Sequence, residues 1–216
     1  MRSVRTVCSL IIEATIAVAV PVAWFVMLLG LADGGLFSAK GLTTLKYFTI
    51  QSNLLGGAAS LLTVVFTLLA IKKGGRIPQW LSVVRLVAAA GLMLTFLTVA
   101  AFLGPLYGYD KMFLGSNLWF HLIVPLLCAG GVLLLRGERI PKKHLLFCLV
   151  PILLYGAFYL GNIAINGVGT RPNSNDWYSL LNWGIGVGLF LLAGMLVFLL
   201  GSGALLRLGY NRNNRK

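Results

Sequence analysis

Apolar residues fill the chain in six long runs, at about 8–31, 47–71, 80–104, 117–135, 144–164 and 179–206, separated by polar or basic breaks. Each run is near the roughly 20 residues that carry a helix across a bilayer. The pattern predicts an all-α membrane protein, a bundle of six transmembrane helices forming a single domain over residues 1–216. The first run follows a short basic start. It is too long for the apolar core of a signal peptide and lacks a small-residue cleavage motif, so it is expected to stay as a span.

Composition fits that picture. Of 216 residues, 58% are hydrophobic and 11% charged, against roughly 25% charged in an ordinary soluble domain. A net charge of +13 would suggest nucleic acid if it covered a folded face, but the basic residues sit at the ends of apolar runs. If the spans alternate, Arg2, Arg5, Lys72, Lys73, Arg76, Arg136, Arg139, Lys142, Lys143, Arg207, Arg212, Arg215 and Lys216 share one side. The other side collects Lys40, Lys46, Lys111 and Arg171. By the positive-inside rule both termini are expected in the cytoplasm, where the basic ends would attract anionic membrane lipids rather than nucleic acid. Cys8, Cys128 and Cys148 lie in apolar runs without metal-ligand spacing, which suggests core filling and no metal site.

The breaks on the basic side, I-K-K-G-G-R-I-P (71–78) and R-G-E-R-I-P-K-K (136–143), are short turns. The opposite breaks, at 32–46, 106–116 and 167–178, are longer and richer in Gly, Asp, Asn and aromatics, the kind of loop that carries function. Trp80, Trp119, Trp177 and Tyr178 fall near span ends, as an interfacial belt requires. Gly184 with Gly188, and Gly56-Gly57-Ala58-Ala59, are expected to let helices approach closely.

Two charges fall within spans. Glu13 and Arg85 enter from the same side, each some 8 Å deep at about 1.5 Å of rise per residue. They are expected to form a structural ion pair between the first and third spans, and a proton or substrate pathway is the alternative. In the second span Thr49, Ser52, Asn53, Gly56 and Ser60 share one helical stripe, which must face protein or water. In the fourth, Asn117, His121, Pro125 and Cys128 share a face, with His121 at a depth close to that of Thr49. His144, the other histidine, is interfacial. An imidazole that takes the proton of a neighbouring hydroxyl makes it a nucleophile. A Thr49/His121 pair could therefore attack an ester through an acyl-enzyme, with Asn53 or Asn117 as oxyanion donor. The same residues could instead only bond back to helix carbonyls or bridge helices.

The segments K-Y-F-T-I (46–50), L-Y-G-Y-D-K (106–111) and N-L-W-F-H-L-I-V-P (117–125) resemble, in order, three landmarks of the androgen-induced and androgen-dependent integral membrane proteins. These are threonine hydrolases of fatty acid esters of hydroxy fatty acids, with six-span relatives in bacteria. The resemblance implies an integral membrane lipid ester hydrolase of the bacterial cytoplasmic membrane, without a cofactor, with Thr49 as nucleophile and His121, four residues after Asn117, as base. It departs from the family at Ser52, where the animal enzymes carry an acidic residue, and at a proline four rather than five residues after the histidine. Tyr107, Tyr109 and Asp110 would roof the site or orient His121. Tyr155, Tyr159 and Asn162 would wall the same end from the fifth span.

Other intramembrane chemistries are excluded. Asp33, Asp110 and Asp176 all fall in loops, two scattered histidines make no H-E-x-x-H cluster, Ser202 lies at the wrong end for a rhomboid-like protease, and one membrane histidine cannot hold a b-type haem. The rival from another class is a small-molecule or lipid transporter or binding protein, whose cavity Thr49, Ser52, Asn53, Asn117 and His121 would line without catalysis. A structural or assembly role is the third reading.

Overall fold

A computed structural model describes residues 4–31, 39–170 and 174–214. Arg2, Asp33, Arg171, Arg215 and Lys216 lie outside them. The described chain is helical, with no strand and one isolated bridge between Ile77 and Gly137. Six helices are long and apolar enough to cross a membrane: α1 Val4–Leu28, α2 Phe48–Lys73, α3 Gln79–Tyr107, α4 Ser116–Leu134, α5 Lys142–Asn166 and α6 Ile185–Asn213.

Number and order follow the apolar runs, and the boundaries move for local reasons. Helix α1 stops at Leu28 rather than 31 because Gly30 turns left-handed, with φ of 69°. Helix α6 begins at Ile185 rather than 179. The Asp176 carboxylate accepts the amides of Leu180 and Leu181 at 2.9 and 3.0 Å. It thereby caps a separate turn over Leu180–Trp183, and Gly184, at φ 82°, redirects the chain. Gly184 is thus a break before the helix rather than half of a packing motif. At its other end α6 runs on to Asn213 because its polar side chains find partners there.

Those partners are carbonyls that the end of α4 leaves open. Arg5 donates to Leu134 O and Leu135 O at 2.9 and 2.8 Å, and to Asn213 O. Asn213 reaches Leu133 O and Asn214 reaches Leu135 O, each at 3.0 Å. Asn211 pairs both ways with the backbone of Ile140, at 2.8 and 2.9 Å. Both ends of the bundle's chain therefore meet on one face, called here the terminal face. The opposite face, carrying Thr49, is called the loop face.

Helix α3 is the hub. Half of its span is buried inside the protein, against 11% for α6, and it packs on α2, α4, α5 and α6. Its run Ala88-Ala89-Ala90-Gly91 is buried and small enough for neighbours to close around it. Gly56 and Gly57 do what their sequence suggests. A Cβ at Gly56 would come within 2.7 Å of Leu92 on α3, and one at Gly57 within 2.9 Å of Val20 on α1. The outward positions, such as Val18, Val22, Leu61, Leu154, Phe190 and Val197, are large and apolar, as a lipid face requires.

Candidate functional site

Pro125 of α4 has no N–H to give to the carbonyl four residues back, which is that of His121. The helix widens there into a π turn over Trp119–Ile123, an irregularity frequent at functional sites. His121 sits in this turn, 9% exposed. Its Nδ1 lies 2.8 Å from the carbonyl oxygen of Met112. A carbonyl can only accept, so Nδ1 carries the proton, and in the neutral ring Nε2 keeps its lone pair.

Met112 reaches that position because the segment after α3 folds back on itself. Helix α3 also contains a π turn, Thr98–Leu103, one turn before its end, and Tyr109 Oη donates to Ala100 O within it at 2.8 Å. Gly104 provides the room, since a Cβ there would lie 2.2 Å from the Tyr109 ring, and Gly108 turns the chain at φ 94°. The group that orients His121 is therefore a backbone carbonyl. Asp110 is exposed, with its carboxylate beside Gly108, and Tyr107 is exposed. Tyr109 contributes by folding the segment that carries Met112, through its bond to Ala100 O and its stacking on Phe113.

Thr49 stands half-buried in the first turn of α2. One turn deeper, Asn53 is fully buried and its amide donates to Thr49 O at 2.8 Å and to Phe120 O at 3.1 Å. This bond ties the Thr49 helix to the π turn of α4, at the residue next to His121. No hydrogen bond joins Thr49 Oγ1 to His121 among the described residues. The bridge also corrects one expectation. Both Asn53 N–H groups are occupied by carbonyls, so Asn53 is not an oxyanion donor as it stands, whereas its Oδ1 is buried without a partner. Ser52 faces α3, sharing a hydrogen bond with Thr95 Oγ1 at 3.2 Å. Asn117 is half-buried on the first turn of α4. As the second residue of α2, Thr49 also presents an amide that no carbonyl of its own helix accepts.

The start of α2 is held from the other side. Tyr155 Oη donates to Lys46 O at 2.8 Å and accepts from Trp177 Nε1 at 3.0 Å. Phe48 N donates to Tyr178 Oη at 3.0 Å. Tyr159 donates to the Asp176 carboxylate, which is 3% exposed and also caps the turn at Leu180. Lys46 Nζ lies over the Tyr47 and Trp177 rings, 5.3 and 5.5 Å from their centres. Trp177 packs edge-on against Tyr159 and Tyr178 against Tyr155, so both rings brace α5 while Tyr178 stays partly exposed. Asn162 bonds Asn175 at 3.0 Å and so ties α5 to the same loop. From sequence Asp176 reads as a loop residue without a role, although an acidic residue shortly before a helical turn is a cap signal. Asp176→Ala removes two amide acceptors and the Tyr159 partner together. It should expose Trp177, seen as a red shift and easier quenching of its fluorescence, and speed cleavage by protease in 174–184.

Nearer the terminal face, Arg85 Nη2 and Glu13 Oε1 form an ion pair at 2.8 Å, with both residues fully buried. Arg85 Nη1 donates to Cys128 Sγ at 3.1 Å, so this cysteine is more than filler. Glu13 Oε2 has no partner. A Cβ at Gly131 would lie 2.6 Å from Glu13 Oε1, so α4 offers the pair its space. His144 stacks on Phe147 at the start of α5, far along the chain from His121. Among the described residues no cluster of His, Cys, Asp or Glu could hold a metal ion.

No family model, curated protein or solved structure matches the chain.

Proposed function

We propose that the protein is a membrane-embedded hydrolase of lipid esters, with Thr49 as nucleophile and His121 as general base. The observation that carries this reading is the His121 imidazole, buried in an irregular turn and oriented through Nδ1 by the Met112 carbonyl, which leaves Nε2 as a base. In the proposed reaction Thr49 Oγ1 attacks the ester carbonyl carbon while its proton passes to His121 Nε2. The tetrahedral oxyanion collapses, the C–O bond to the alcohol breaks, and the imidazolium returns the proton to the departing oxygen. Water then attacks the acyl-threonine, giving a proton to Nε2, the bond between the acyl carbon and Thr49 Oγ1 breaks, and the imidazolium returns that proton to Oγ1 as the fatty acid leaves. The Thr49 amide and Asn117 are the candidate oxyanion donors. The unpartnered Asn53 Oδ1 is an acceptor for a water or a substrate hydroxyl.

A lipid substrate is supported by a groove of about 970 Å³ between α1 and the start of α4. Val18, Val22, Ala23, Leu118 and Trp119 line it, an apolar trough that reaches the His121 turn at Trp119 and includes neither Thr49 nor His121 in its lining. Fatty acyl esters, those of hydroxy fatty acids among them, are the proposed class. The site would open toward the outer leaflet of a bacterial cytoplasmic membrane, with both termini inside. The test is to offer the purified chain a panel of such esters with slow-leaving alcohols, quench, digest, and seek an acyl mass on the peptide containing Thr49. A labelled Thr49 together with fatty acid release supports the reading; no adduct and no release across the panel removes it. The second reading, a binding or transport protein, draws on the unpartnered Glu13 Oε2 in the buried pair, a feature typical of proton-coupled sites.

A further inference from the structure

The terminal face carries a cavity of about 500 Å³ between the last turns of α2, the turn at 75–77, the turn at 136–137 and the end of α6. Three guanidinium groups, those of Arg5, Arg76 and Arg136, line it, and no carboxylate does. Arg5 is occupied by the carbonyls of 133–135 and Asn213, and so forms a fixed basic floor. The amides of Asn213 and Asn214 are likewise bonded to backbone carbonyls.

Arg76 and Arg136 differ. Both are exposed, and among the described residues no carboxylate lies at ion-pair distance from either. Their juxtaposition is built into the backbone. Ile77 and Gly137 pair as an isolated parallel bridge, so the residues just before them, Arg76 and Arg136, are neighbours across it, with the two backbones roughly 5 Å apart. Placing two like charges side by side is unfavourable unless something negative joins them. The cavity wall beside them is apolar, made by Ala70, Ile71 and Ile77, where α2 leaves its lipid-facing stretch. A planar guanidinium fork matches the oxygens of a phosphate, and two forks in register can hold one phosphate from both sides.

We infer that this cavity binds the phosphate of an anionic phospholipid, with Arg76 and Arg136 as its paired ligands. The phosphate would lie at the level of the turns and the glycerol and first acyl carbons against the wall of α2. This site is separate from the Thr49 end of the molecule.

The experiment uses the full chain, delipidated in a nonionic detergent, with binding followed by thermal shift and by native mass spectrometry. Phosphatidylglycerol should raise the melting temperature by several degrees and remain bound, whereas phosphatidylcholine should do neither. R76Q/R136Q should weaken phosphatidylglycerol binding about tenfold or more, while K72Q/K73Q, which removes equal charge from the neighbouring surface, should change it less than twofold. Higher salt should weaken wild-type binding. Equal shifts with both lipids, or unchanged affinity in R76Q/R136Q, would overturn the proposal. Glycerol phosphate that competes fully at the same concentration as the lipid would also overturn it, by assigning the cavity to a soluble phosphate. Should R76Q/R136Q melt early without lipid, R76K/R136K takes its place. That variant keeps the charge and loses the forks, so unchanged affinity there counts against the proposal as well.

Discussion

Replacing Arg85 with Met while leaving Glu13 in place should cost about 3–5 kcal/mol, or prevent the protein from accumulating in the membrane at all. The guanidinium is the partner of Glu13 Oε1 at both Nε and Nη2, at 3.2 and 2.8 Å, and the other carboxylate oxygen already lacks one. Without Arg85 a carboxylate would be left in an apolar bundle with nothing to offset its lost hydration. Glu13→Leu should be comparably damaging, since Arg85 would retain only the weak acceptor of Cys128. The double variant Glu13→Leu/Arg85→Met should return to within about 1–2 kcal/mol of wild type, because removing both charges removes the desolvation penalty with the attraction. Unfolding in one detergent, wild type against the three variants, measures this. Single variants as stable as wild type would mean that water reaches the pair and would favour the transport reading.

Thr49→Ala and His121→Gln should each lower ester hydrolysis about a thousandfold, toward the uncatalysed rate. The double variant should fall no further, because nucleophile and base act as one unit. Folding should survive in Thr49→Ala, since the bond that ties α2 to α4 uses the backbone carbonyl of Thr49 and not its hydroxyl. His121→Gln keeps a side-chain N–H for the Met112 carbonyl, limiting the loss to about 1 kcal/mol. Thr49→Ser keeps a hydroxyl and should retain measurable turnover. Fatty acid release, corrected for folded protein by melting curves, is the readout. Near-normal activity in either Ala or Gln variant would dismiss the pair.

Span count and order were legible because run length alone reports them, and the Glu13–Arg85 contact because two charges entering from one side at equal depth have few other partners. The groups that position the candidate site were not. Met112 acts through its carbonyl, which no residue type announces. Asp176 reads as an ordinary loop carboxylate until Leu180 and Leu181 turn their amides to it. Trp177 and Tyr178 look like any interfacial aromatics, until the Tyr155 hydroxyl is seen to accept from Trp177 and the Phe48 amide to donate to Tyr178. The stripe through Asn117, His121 and Pro125 assumed a regular 3.6-residue period, yet Pro125 itself forces the wider turn. Asn53 illustrates a further limit, since a side chain with two donors looks available until its acceptors are seen.

The polar knot at the terminal face sets an order of assembly. Translation delivers Arg5 with the first helix and the carbonyls at 133–140 with the fourth, but Arg207, Tyr210, Asn211, Asn213 and Asn214 emerge only after five helices have been made. Until they arrive, the carbonyls at the end of α4 have Arg5 as their one side-chain partner among the described residues, and Ile140 has no amide facing it. The nascent bundle therefore stays unlatched until the sixth helix is threaded, and a ribosome that stalls before residue 207 would release a protein open at that end, recognisable to membrane quality-control proteases.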